Sequence, residues 1–333
     1  METRDWNNWK WQLRHAQRIG GLNEVEARYP SFLTPYGKSL LKYRAIRLQS
    51  VPDRRELIPE ADTCTDPFRE KTFSAKCYGV KQRFPDRVLL MVNNRCAMNC
   101  RHCTRKGLLA DAEVIRTDDQ LANAIGYIRK HPRVRDVLLS GGDPLLLDDS
   151  RILTFVNRIT ALPQIEVVRL CTRVLSTLPM RVTDALVRKL AASRKVWVNT
   201  QFNCAEELTP EAISACAKFA DAGIPVSCQT VLLKGVNDSV TKLFALCSAL
   251  QRARVRPYYV FVCDPIEGIS HFRVPLEKAQ RLEQQLAERI GGLALPRFVA
   301  DLPGSKRKIP IQQLSAGSFS IADPTHQPWR LRG

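Results

Sequence analysis

The chain has 333 residues, 44% of them hydrophobic, and carries 51 Lys and Arg against 33 Asp and Glu, a formal charge of +18. That length suits one large α/β domain or two smaller ones, and the apolar content fills a sizeable core, which excludes a disordered or fibrous chain. The start "METRDWNNWKWQL" has no apolar signal core and no run approaches the roughly 18 apolar residues of a membrane span, so a soluble protein of the cytoplasm, without a membrane, is expected. The charge would suit RNA or an acidic surface, but Lys and Arg are spread along the chain without a long block, which favours a solvated basic surface over nucleic-acid binding.

In chain order, "WNNWKWQLRHAQRI" and "GKSLLKYRAIRLQ" have helical apolar spacing, so residues 1–80 form a helical N-terminal extension. From residue 81 to about 300, short β-branched runs alternate with amphipathic ones. Strands are expected at 87–92, 134–140, 166–171, 195–200, 225–233 and 256–263, and helices near 118–130, 148–161, 180–193, 209–222, 239–252 and 276–290. Six βα units about 30 residues apart are what a parallel sheet with right-handed crossovers requires. The fold class is therefore α/β, a partial (βα)6 barrel, followed by a C-terminal tail over 301–333.

Chemistry in such folds sits at the carboxyl ends of the strands. There lie "NNRCAMNCRHCTRK", "SGGDP", "TR", "NTQFN" and "CDPIEG". Of eleven cysteines, Cys171, Cys216, Cys228 and Cys247 fall in apolar or helical runs and read as core. Cys96, Cys100 and Cys103 instead form C-x3-C-x2-C. Structural zinc would need His102 as a fourth ligand, although it is adjacent to Cys103 and neighbouring side chains rarely reach one ion together. A [4Fe–4S] cluster on three cysteines leaves one iron open, so three without a fourth becomes a chemical requirement.

This loop after a first barrel strand resembles the radical S-adenosylmethionine superfamily, whose open iron binds that cofactor. The resemblance implies that Ser140, Gly141, Gly142 and Asp143 meet the cofactor at the strand end. From about 83 to 311 the chain further resembles the lysine 2,3-aminomutase family, through "RFPDRVLL", "CRHCTR", "RDVLLSGGDPLL", "VLLKGVND", "RPYYVF" followed by "CD", "HFRVP" and "FVADLPGSKRKIP". That family also uses pyridoxal 5′-phosphate. By resemblance Lys308 is the pyridoxal Schiff-base lysine, with Lys306 the rival in sequence; cations beside Lys308 ease the loss of its proton. Arg83 and Arg87 match the phosphate-binding arginines, and Gln229 a glutamine near S-adenosylmethionine. Where the family has "THFNHP" this chain has "TQFNCA", so Gln201 and Cys204 replace histidines near that cofactor.

The resemblance implies that Arg105 binds the substrate α-carboxylate and that Asp264 and Asp301 hold a distal ammonium group. The expected activity is a 2,3-aminomutase moving the α-amino group of a cationic L-amino acid to its β-carbon, most simply L-lysine to β-lysine. Arginine is the closest alternative substrate, and an RNA-modifying radical enzyme the alternative class. The implied partners are a small-molecule amino acid and an electron donor such as flavodoxin or ferredoxin, with room for a homo-oligomer.

Overall fold

The computed structural model describes residues 3–61, 63–66, 70, 77, 79–108, 114–302, 305 and 307–315. Short runs, most of them apolar, pair into one sheet in sequence order: β1 (Val80–Phe84), β2 (Arg87–Asn93), β3 (Asp136–Gly141), β4 (Val167–Thr172), β5 (Val196–Thr200), β6 (Val226–Leu232), β7 (Arg256–Val262), β8 (Arg297–Ala300) and β9 (Ile309–Pro310). Strands β2 to β8 are parallel, while β1 and β9 flank them antiparallel. The six expected strands are β2 to β7. Strands β8, β1 and β9 were not expected, since β8 has four residues, β9 has two, and β1, "VKQRF", is mostly polar.

Six amphipathic helices cross between the strands: Asp118–Arg129, Asp149–Thr160, Asp184–Ala191, Pro210–Asp221, Val240–Arg252 and Leu276–Ala287. Four of them start where a hydroxyl accepts a free first-turn N–H, at Thr117, Thr183, Thr209 and Ser239. Val168 and Leu170 of β4 pack beneath the helices in the main core. Alternation turns Arg169 and Cys171 to the other face, where Arg169 pairs with Asp136. Cys216, Cys228 and Cys247 are core residues as expected; Cys171 is half-buried and faces away from that core, because its strand position has the opposite parity.

The N-terminal extension consists of short helices, and it is fastened to the barrel mouth. Tyr36, Leu40 and Ile46 share a hydrophobic cluster with Leu233, Val236, Cys263 and Ile266, which follow β6 and β7. Arg101 of the cysteine loop donates to the carbonyls of Tyr29 and Pro30 and pairs with Glu56, which also takes Lys106 Nζ at 2.7 Å. Among the described residues no helix is long and apolar enough to cross a membrane.

Candidate active site

Strand β2 delivers the cysteine loop to the barrel mouth, and β3 ends against it. A Cβ on Gly141 or Gly142 would run into the backbone of Asn93 or Arg95, so these glycines serve close approach of the two strand ends. Ser140 is buried near the carboxyl end of β3. The Asp143 carboxylate is committed within the protein: Thr172 Oγ1 donates at 2.7 Å, and the backbone N–H groups of Arg173, Val174 and Leu145 at 2.7, 3.1 and 3.0 Å. It works by fixing the loop after β4.

That loop carries Arg173, whose Nη1 donates to Cys100 Sγ at 2.7 Å and whose Nη2 reaches Gln49 and Glu207. Burial, then the neighbouring thiols, pushes Cys96 and Cys103 upward. Among the described residues no three His, Cys, Asp or Glu side chains are set for a single ion.

His102, in the same loop, is buried, and its charged form is disfavoured first by that burial and then by Arg173 and Lys106. Asn203 Oδ1 accepts from the Val231 N–H, so Asn203 Nδ2 is the atom that donates to His102 Nε2 at 3.1 Å, beside Gln201 Nε2 at 3.2 Å. The proton then rests on His102 Nδ1, and among the described residues neither that atom nor Arg173 Nε has a hydrogen-bond partner. Buried orphan donors beside three thiols fit an anionic cluster and a carboxylate-bearing cofactor. Gln201 thus takes its position by supporting His102, while Cys204 is buried with Glu207 and Gln49. Gln229 lies half-buried in β6.

On the far side of the mouth the β8–β9 hairpin pairs Ala300 with Ile309, which sets Asp301 opposite Lys308. Their side chains form an ion pair, and Arg83 donates twice to the same carboxylate at 3.1 and 3.2 Å. Burial, with Arg83 nearby, lowers the Lys308 amine despite Asp301, the direction a Schiff-base lysine needs. Lys308 Nζ lies 5.3 Å from the Phe261 ring and 5.8 Å from that of Phe84, on which Arg87 stacks at 4.1 Å. Three cations around two aromatic faces suit an anionic, planar cofactor. Burial first, then Asp301, pushes Asp264 up to about 8.

The structure therefore brings Lys308, Asp301, Asp264 and Arg83 together, sets Arg87 behind Phe84, and places Arg105 beside Cys103, paired with Glu70. Lys306 lies outside the described residues. Sequence reasoning missed Arg173, Asn203, Glu207, Gln49 and Glu70. The first two lie in strand-end motifs already suspect in the sequence, "TR" and "NTQFN"; the others carry no local signal.

Residues 90–247 match the family model of the radical SAM superfamily. The chain is 38% identical to the L-lysine 2,3-aminomutase of Fusobacterium nucleatum subsp. nucleatum over 92% of its own length and 76% of that protein's. It is 39% identical to the L-lysine 2,3-aminomutase of Bacillus subtilis, over 92% and 69%. It is 33% identical to the glutamate 2,3-aminomutase of Clostridioides difficile, over 92% and 77%. A three-cysteine loop at the end of β2 and a half-buried lysine in β9's approach, on one largely parallel α/β sheet and in a chain with these relatives, identify it as a member of the lysine 2,3-aminomutase family of radical S-adenosylmethionine enzymes.

Proposed function

We propose that the protein is a 2,3-aminomutase that converts L-lysine to β-lysine. The observation that carries the substrate choice is Asp264 set beside Asp301: Asp301 is shared by Arg83 and Lys308, and a second carboxyl next to it suits a further cation and disfavours an acidic side chain. When bound at Cys96, Cys100, Cys103 and Lys308, the cluster with S-adenosylmethionine supplies the radical that takes a hydrogen, and pyridoxal 5′-phosphate the π-system through which nitrogen migrates. Arg83 and Arg87 would hold the phosphate. Arg105 anchors the α-carboxylate next to the cysteine loop, so Cα and Cβ lie toward the radical source. Ser140, Gly141, Gly142, Gln201 and Gln229 line the approach of S-adenosylmethionine, with Asp143 ordering that wall.

Arginine would also satisfy two carboxylates, through its fork. The relatives compared are named as amino-acid aminomutases, which favours a small substrate over RNA. We take the electron donor to be a flavodoxin or ferredoxin in the cytoplasm. The absorbance of anaerobically purified protein tests the chemistry: a broad iron–sulfur band plus a pyridoxal band is expected. Iron–sulfur alone would favour another radical enzyme, and neither band a zinc protein.

A further inference from the structure

Arg105, the expected anchor of the substrate α-carboxylate, already holds a carboxylate of this chain. Glu70 accepts from its Nε at 2.8 Å and its Nη2 at 2.6 Å, and both side chains are mostly buried, at 16% and 20% exposure. A guanidinium has a second fork, Nη1 with the outer hydrogen of Nη2, and among the described residues no hydrogen bond or ion pair uses it. Glu70 is itself fastened at its backbone: its N–H donates to Asp66 Oδ1 at 2.9 Å, and its carbonyl accepts from Lys81 Nζ at 2.6 Å. Burial works against the Glu70 charge, yet Arg105, Lys81 and Arg83 together hold it ionised.

Two roles are open to such a carboxylate. It could occupy the substrate's place and be displaced, or it could stay and aim the guanidinium. Displacement would strand a half-buried, backbone-anchored carboxylate without its partner, which is costly. Retention needs no such loss, because the fork that Glu70 leaves open is itself suited to a bidentate carboxylate. Arg105 also stands against the cluster loop, its backbone N–H 3.3 Å from Cys103 Sγ, so the direction of its fork sets where the substrate carbons lie relative to that loop.

We propose that Glu70 is a positioning residue for substrate recognition: it grips the Nε/Nη2 edge of Arg105 and presents the Nη1/Nη2 fork to the α-carboxylate of an amino acid. This rests on the aminomutase reading of Arg105. Glu70 selects for a carboxylate through Arg105 and touches no reacting atom.

The test uses holoenzyme reconstituted with iron, sulfide and pyridoxal 5′-phosphate, titrated with L-lysine and with cadaverine, the same diamine lacking the carboxylate, while the pyridoxal absorbance is followed. Glu70→Gln, which keeps the shape, and Glu70→Asp, which shortens the reach, should each weaken L-lysine by roughly 10- to 100-fold and leave cadaverine, iron content and pyridoxal content unchanged. Tighter binding of L-lysine by Glu70→Gln would overturn the proposal in favour of a displaced occupant. Equal weakening of both ligands would reduce Glu70 to structural support. Arg105→Ala separates the two layers: it should abolish the preference for L-lysine over cadaverine. If it keeps that preference, the assignment of Arg105 fails and Glu70's role with it. If it loses the preference while both Glu70 variants retain it, Glu70 alone is misassigned.

Discussion

A carboxyl set beside another carboxyl must take a proton or meet a cation, and burial with Asp301 nearby favours the protonated form of Asp264. Its ordinary value of 3.8 is raised to about 8, so between those limits the folded, cofactor-free protein binds one more proton here than the unfolded chain. Stability from this group is therefore present at low pH and falls as pH rises from about 4 to about 8. Asp264→Asn should flatten that slope in denaturation curves taken across the window; an unchanged slope would show that Asp264 is ionised. The same substitution should weaken L-lysine by on the order of 2 to 5 kcal/mol if the pair is desolvated in the complex, measured by titration of the holoenzyme. Lys308 gives a covalent test: borohydride reduction should fix the pyridoxyl group to the peptide containing residue 308, and a label on Lys306 would move the site. These candidates could be named from the sequence because the cysteine spacing is local and the lysine lies within a family word. Glu70 was not, since its partner Arg105 is 35 positions away and only the fold joins them.

The element that matters most is the cysteine loop, which is held by packing and by charge. At Gly142 a Cβ would collide with the backbone of Arg95, next to Cys96, so Gly142→Ala should displace the loop and lower iron content after reconstitution. Cys100→Ala should lose the cluster outright, and full iron occupancy in that variant would contradict the ligand assignment. Beneath the loop, Glu56 answers both Arg101 and Lys106, all three side chains nearly inaccessible to water. Removing it strands two buried cations, so Glu56→Ala should cost about 3 to 5 kcal/mol in chemical denaturation. The six βα units were legible because their apolar periods repeat regularly and their helices open on capping hydroxyls. The edges were not: β9 is two residues long and exists through its hairpin with β8, so no local period announces it.

Over the whole molecule, the described strands form an open sheet, with β1 at one edge and β9 at the other. Arg83 of β1 reaches Asp301 after β8, so ion pairing links the two ends where strand pairing does not. The N-terminal extension lies over the mouth, and its Gln49 accepts from Arg173 and Asn203 at 2.7 and 2.8 Å, so a segment readable only as helical contributes to the wall of the site. The net charge of +18 carried little information, because basic residues at this site answer particular carboxylates and aromatic rings. Cationic-substrate aminomutation is tested most directly by supplying the reconstituted, reduced enzyme with L-lysine, L-arginine, L-ornithine and L-glutamate and analysing the products. β-Lysine from L-lysine, with glutamate untouched, is the expected result; turnover of glutamate in preference to the cationic amino acids would contradict the roles given to Asp264 and Asp301.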